Sequence, residues 1–224
     1  MATFCLIHGS GQDSRAWDLL VRELAALGLE AIAPILPTEE AEAGAARYAQ
    51  AVAEVLPPSQ DVVVVAHSAS GLFLPIVATF APVARLVFLA AAIPVSGSSF
   101  LDQLKPDPTA MFNPDWIGQN PFGDDDAART FLFNDCTPEV AAWALTTRLD
   151  WYPARLYEEP CPLRAWPDVQ STYVVCTEDR TIQPEWSRRA AKERLGVEAI
   201  DIPGGHCPHI SRPRELAALL TSLA

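Results

Sequence analysis

Short β-branched runs recur along this chain at intervals filled by helical patterns, and that rhythm restricts the fold more than any other feature. Asp61-Val62-Val63-Val64-Val65-Ala66 is the clearest strand, with four consecutive valines. Apolar side chains on both faces of a strand belong in a sheet that is covered from both sides. Phe4 to His8, Ala31 to Leu36, Leu86 to Leu89, Ser171 to Cys176 and Val197 to Ile202 read as further strands. Helical spacing fills the gaps: Trp17 to Leu27 before Gly28, Tyr48 to Leu56 before Pro57-Pro58, Leu72 to Phe80, Pro184 to Leu195, and Pro213 to Leu223. Strands alternating with helices predict the α/β class, a mostly parallel sheet with helices on both faces.

Between Gly97 and Trp166 the rhythm stops, and this stretch holds 11 of the chain's 19 aromatic residues. The break predicts a small, mainly helical lid insert over 97–166, leaving 1–96 and 167–224 as one core. Aromatics give a small subdomain a core of its own and can also line a pocket. Phe112, Trp116, Phe122, Phe131, Phe133, Trp143 and Trp151 are the candidates to fold over the rim of the sheet. Trp116, Phe122 and Trp143, together with Gly9, are assigned to substrate binding. The Asp124-Asp125-Asp126 run reads as a solvated loop, because consecutive side chains do not converge on one ion.

Several function classes are disfavoured by composition. Sixteen Lys and Arg against 28 Asp and Glu give a net charge of −12, which repels phosphate backbones and anionic lipid, so no nucleic-acid partner is expected. Five widely spaced cysteines without a CxxC pattern point to neither a disulfide framework nor a zinc knuckle. The opening Met1-Ala2-Thr3-Phe4-Cys5-Leu6-Ile7 lacks the basic region and cleavage site of a signal peptide. A cytoplasmic location is the expectation. The greasiest stretch, Leu72 to Val95, is interrupted by Pro75, Pro82 and Arg85, so it reads as core and not as a membrane span.

All four histidines fall at strand-to-loop junctions: His8, His67, His206 and His209. In open parallel sheets ligands bind beyond the carboxyl ends of the strands, so these junctions share one rim. The central feature is Val64-Val65-Ala66-His67-Ser68-Ala69-Ser70-Gly71, a strand running into a helix with small residues two before and two after Ser68. A nucleophile on a sharp strand-to-helix turn needs that spacing so that strand and helix approach closely. The strict G-x-S-x-G pattern fails, but Ala66 and Ser70 meet the size requirement. The same serine would also serve as a plain helix cap.

A serine hydroxyl attacks at neutral pH only when a base takes its proton and a third group fixes the base's tautomer. Thr177-Glu178-Asp179 follows a late strand and supplies the acid, Asp179 being preferred to Glu178. Either acid could instead be a helix cap or a surface charge. Gly204-Gly205-His206 follows the last strand and supplies the base, on a loop loosened by two glycines. His209 reads as structural. Backbone amides must also face the oxygen that turns negative. Ala69, directly after the serine, is one donor, and Ser10 in His8-Gly9-Ser10-Gly11 is the other. A dinucleotide loop at Gly9-x-Gly11 is disfavoured because Pro34-Ile35-Leu36-Pro37 stands where strand two should end in an acid.

His8-Gly9 after a strand, the Ser68 turn, Asp179 and Gly205-His206, in that order, resemble the α/β-hydrolase superfamily along nearly the whole chain. Phe4-Cys5-Leu6-Ile7-His8-Gly9, Trp17, Ala33-Pro34 before Leu36-Pro37, and His206-Cys207-Pro208-His209-Ile210-Ser211-Arg212-Pro213 resemble its small esterase (methylesterase) and hydroxynitrile lyase branch. Lyases of that branch carry a threonine where this chain has Gly9 and a lysine where it has Cys207. The resemblance therefore implies ester hydrolysis: a serine esterase cleaving a small, largely apolar carboxylic ester through an acyl-enzyme on Ser68, with neither metal nor cofactor. The alternatives are a ligand-binding or signalling protein on the same fold, which the His-Cys-Pro-His run also resembles, and lyase, lactone or C–C bond chemistry on the same triad.

Overall fold

The computed structural model describes residues 2–58, 61–149 and 153–224; Trp151 lies outside them. Six strands form one all-parallel sheet in the order β2-β1-β3-β4-β5-β6. They are β1 (Thr3–Ile7), β2 (Glu30–Ile32), β3 (Val62–His67), β4 (Arg85–Leu89), β5 (Gln170–Cys176) and β6 (Ile200–Ile202). The valine strand, β3, lies between β1 and β4 and is buried along its length. Its side chains alternate between two apolar layers, as the two-sided hydrophobicity of the sequence requires.

On one face, α1 (Asp18–Ala26) and α9 (Pro213–Ser222) pack Leu20, Leu24, Leu216 and Leu220 against Phe4, Leu6, Val63, Val65 and Val87. On the other, α2 (Ala45–Glu54), α3 (Leu74–Val77) and α8 (Pro184–Ala190) pack Tyr48, Val52, Val77 and Trp186 against Cys5, Val62, Val64, Phe88 and Tyr173. Between β4 and β5 the described chain runs through α4 (Phe100–Leu104), α5 (Asp125–Phe131), α6 (Pro138–Leu145) and α7 (Ala154–Glu158), with two short 3₁₀ turns and no strand of the sheet. This is the mainly helical insert that the break in rhythm implies.

Several elements differ from their sequence patterns for identifiable reasons. Strand two pairs only over Glu30–Ile32, because Pro34 and Pro37 offer no backbone N–H to a ladder. The last strand pairs only over Ile200–Ile202; the amide of Val197 turns back to the Ala191 carbonyl. The helix expected over Leu72 to Phe80 is instead a 3₁₀ turn from Ser68 to Leu72 followed by the short α3. The aspartate run is no loop: Asp124 caps α5 by accepting from the amides of Asp126 and Ala127, and Asp125 pairs with Arg148. Among the described residues no helix is long and apolar enough to cross a membrane.

Candidate active site

β3 delivers Ser68 to the carboxyl edge of the sheet at φ 54°, left-handed backbone that a non-glycine residue rarely adopts. Such a conformation costs about 1–3 kcal/mol and persists only where its surroundings over-determine it. Here the Ala92 amide donates to the Ser68 carbonyl at 3.0 Å, and the Ser70 hydroxyl donates to the His8 carbonyl, tying the turn to the end of β1. A Cβ on Gly71 would lie 2.1 Å from the Ala92 carbonyl oxygen, so only glycine lets the turn sit this close to the chain leaving β4. Ala66 and Ser70 are both buried, consistent with the size requirement. The Ser70 hydrogen bond is a second use of that side chain, which spacing alone does not reveal.

Ser68, His206 and Asp179 meet, although Ser68 and Asp179 are separated by more than a hundred residues of sequence. Nε2 of His206 lies 3.1 Å from the Ser68 Oγ, and Nδ1 lies 2.8 Å from the Asp179 Oδ2. A carboxylate only accepts, so Nδ1 carries the imidazole proton and Nε2 presents a lone pair to the serine hydroxyl. The other carboxylate oxygen, Oδ1, accepts from the amides of Thr181 at 2.7 Å and Ile182 at 3.0 Å, which fixes the plane of the group. Asp179 is 8% exposed and His206 2%. Glu178, the competing acid, is exposed to solvent.

The two glycines before His206 serve close packing and not looseness. A Cβ on Gly205 would lie 2.2 Å from the Asn134 Oδ1, and Gly204, at φ 105°, abuts Asp135 and Arg212. The turn that carries His206 is thus seated against the insert. From behind, Nε2 of His67 donates to the His206 carbonyl at 2.9 Å. His209 is fully buried, with its ring 4.2 Å from Trp17 and 4.7 Å from His67, centroid to centroid. Burial pushes His209 down to about 3 and holds His67 well below the usual imidazole range, so both stay neutral around pH 7. His8 is buried at the end of β1, its Nδ1 2.9 Å from the Gly9 carbonyl.

Ser68 opens onto a cavity of about 240 Å³. Ser10 and Ala69 line it beside the serine, and Phe100, Met111, Phe112, Trp116, Phe122 and Tyr157 supply much of its wall. Among the described residues no charged side chain contributes to that wall. Of the residues assigned to substrate binding, Trp116 and Phe122 line this cavity. Gly9 and Trp143 do not line the cavity. Gly9 lies against the elbow, where a Cβ would come within 2.9 Å of Ser68 Cβ and His67 Nδ1. Trp143, Phe133 and Leu132 pack into an apolar cluster that the insert shares with Ala16, Cys207 and Ile210; Phe131 is buried against Trp116. Tyr157, Phe100, Met111, Thr181 and Ile182 were not singled out from the sequence. The aromatic excess of the insert was the signal for the first two; nothing in the pattern distinguishes the others.

Chemically, the arrangement can transfer a proton from Ser68 to His206 while Asp179 stabilises the imidazolium that forms. The cysteines do not compete as nucleophiles: burial raises the Cys207 thiol, next to His206, well above its usual value and pushes Cys136 up to about 12. Among the described residues no three His, Cys, Asp or Glu side chains converge as metal ligands do.

Residues 6–219 match the alpha/beta hydrolase family. The chain belongs to that family. Similar family members include alpha/beta hydrolase nvfD of Aspergillus novofumigatus, 29% identical over 98% of this chain and 95% of the relative. Salicylic acid-binding protein 2 of Nicotiana tabacum is 30% identical over 76% of this chain and 73% of its own length. Among solved structures, polyneuridine aldehyde esterase shares the fold with a TM-score of 0.82 at 18% identity, covering 100% of this chain and 99% of that one. The resemblance to the α/β-hydrolase superfamily, drawn from the sequence, is met by the family match over residues 6–219.

Proposed function

We propose that this alpha/beta hydrolase is a serine esterase that cleaves a small, largely apolar carboxylic ester. The observation that carries the reading is the hydrogen-bonded chain from Ser68 through His206 to Asp179, 3.1 and 2.8 Å long, at the mouth of a cavity walled largely by apolar side chains. Ser68 attacks the acyl carbon as His206 takes its proton, and His206 returns that proton to the departing alcohol. Amides of Ser10 and Ala69 receive the negative oxygen, each such donor being worth roughly 3 kcal/mol in the transition state. Water then releases the acid from the acyl-enzyme. An apolar cavity of about 150 Å³ holds benzene, so one of about 240 Å³ takes a group of roughly ten heavy atoms. The polyneuridine aldehyde esterase fold match and the family membership support the same class.

A screen of nitrophenyl esters of increasing acyl length tests this reading, with Ser68→Ala as control. Wild-type protein is expected to cleave the shorter esters and fall off once the acyl chain outgrows the cavity. Ser68→Ala is expected to fold normally and lose nearly all turnover. Wild-type activity in Ser68→Ala on every ester would end the assignment.

A second reading, ligand binding with hydrolysis incidental, is favoured by the apolar cavity and by one relative being named for binding salicylic acid. It predicts a large thermal shift with a small aromatic carboxylic acid together with negligible turnover across the ester panel. Lyase chemistry has less support, because the residue after His206 is the neutral, buried Cys207 and not a cation.

A further inference from the structure

Beside the main cavity lies a second, smaller chamber of about 30 Å³, lined in part by Ser10, Gln12, His67, Ser68, Thr181 and His206. Trp116, Phe122, Leu132 and Cys207 complete its wall, so buried polar groups and apolar side chains share it. A water molecule needs roughly 10–15 Å³ of such space and two to four polar partners, whereas benzene fills about 150 Å³. The chamber therefore has room for a water and is too small for a butyl chain.

Two of its walls carry complementary buried groups. Gln12 is 1% exposed, and its Nε2 has no hydrogen-bond partner among the described residues. His67 uses Nε2–H on the His206 carbonyl, so its Nδ1 is a bare acceptor, buried and likewise without a partner among the described residues. A buried donor and a buried acceptor each carry a desolvation penalty if left unmatched. One water accepting from Gln12 and donating to His67 satisfies both. The same chamber touches Ser68 and His206, the two groups a hydrolytic water must reach.

We propose that this chamber seats the water that hydrolyses the acyl-enzyme, with Gln12 and His67 as its positioning residues. The inference rests on the acyl-enzyme reading above. The water oxygen bonds to the acyl carbon while its proton passes to His206 Nε2. The carbon–Oγ bond to Ser68 then breaks, the proton moves from His206 to Oγ, and the carboxylic acid leaves. An alcohol such as butanol is too large for the chamber and must attack from the main cavity, so it does not depend on Gln12.

The test is the partition of the acyl-enzyme between butanol and water, read as the ratio of butyl ester to acid in Gln12→Met and wild type. Methionine keeps the length of the side chain and removes the donor. Gln12→Leu provides a second removal if the first does not fold, and the ratio is independent of how much of the preparation is active. A rise of about tenfold is expected, matching the loss of one hydrogen bond, with a burst of nitrophenol as the acyl-enzyme accumulates. An unchanged ratio overturns the proposal, even if total activity drops. A wild-type protein that forms no acyl adduct on Ser68 overturns the underlying reading instead, and this inference with it, and mass spectrometry separates the two failures.

Discussion

The two carboxylate oxygens of Asp179 have separate partners. Oδ1 takes the Thr181 and Ile182 amides, and Oδ2 faces His206. Asp179→Asn would put its carbonyl oxygen on the two amides and turn its NH₂ toward Nδ1. His206 would then carry its proton on Nε2 and could not accept from Ser68. The expected result is a fall in kcat of up to about 10⁴, as in the protease case of the same substitution, with little change in melting temperature. A kcat within about tenfold of wild type would refute the tautomer argument. Ser70 is a second single-residue test. Removing its hydroxyl in Ser70→Ala leaves the buried His8 carbonyl without that donor, for an expected loss of about 1 kcal/mol in urea denaturation. That Ser68, His206 and Asp179 come together was legible in the sequence because reactive side chains sit at strand ends in a fixed order. The Ser70 bond was not, since spacing reports size and not where a hydroxyl points.

The elements that bring His206 to Ser68 depend on contact between the sheet and the insert. The glycine turn after β6 lies against Asn134 and Asp135 in the segment after α5, and the Asn134 side chain donates to the Glu178 carbonyl at 3.3 Å. Gly205→Ala drives a methyl into Asn134. Overpacking of this kind costs about 1–3 kcal/mol, and the displaced turn should also lower kcat. Adding Asn134→Ala should recover part of both losses, and a double-mutant cycle measures that coupling. Strictly additive losses would mean that the turn and the insert act independently. At this scale the sequence is informative where one force dominates. The buried strands β1, β3, β4 and β5 follow from hydrophobicity alone. The short edge strands β2 and β6 do not, because their length is set by prolines and by where a backbone amide finds its acceptor. Gly204 and Gly205 read as a loosened loop when only their own conformational freedom is considered; the side chains that fill the space around them come from a distant stretch of chain.

Across the whole molecule, burying neutral histidines beneath the active site carries a consequence for acid stability. His67 and His209 both have folded-state values well below the ordinary 6.5, His209 down to about 3. Well above pH 6.5 neither the folded nor the unfolded state binds a proton at these rings, so they contribute no pH dependence there. Below it the unfolded chain takes up protons that the folded one refuses, and stability falls as pH falls from 6.5 toward 3. His209 should cost about 2 kcal/mol by about pH 5, and His67 adds to the fall in the same direction. Denaturant midpoints between about pH 7.5 and about pH 5 are expected to drop steeply in wild type and less in His209→Phe; equal slopes would contradict this assignment. The overall architecture was visible in the alternation of strands and helices, and the insert in its interruption. Which insert aromatics face the substrate was not visible, because helical periodicity within short, irregular segments does not fix their orientation on the sheet.

The proposed function depends on Ser68 becoming covalently acylated. Rapid quenching of the protein during turnover of a slow nitrophenyl ester, followed by peptide mass spectrometry, tests that directly. The account predicts one acyl group per chain on the peptide containing Ser68, formed at the rate of nitrophenol release and absent from Ser68→Ala. Turnover without any adduct, or with the acyl group on another side chain, would contradict it.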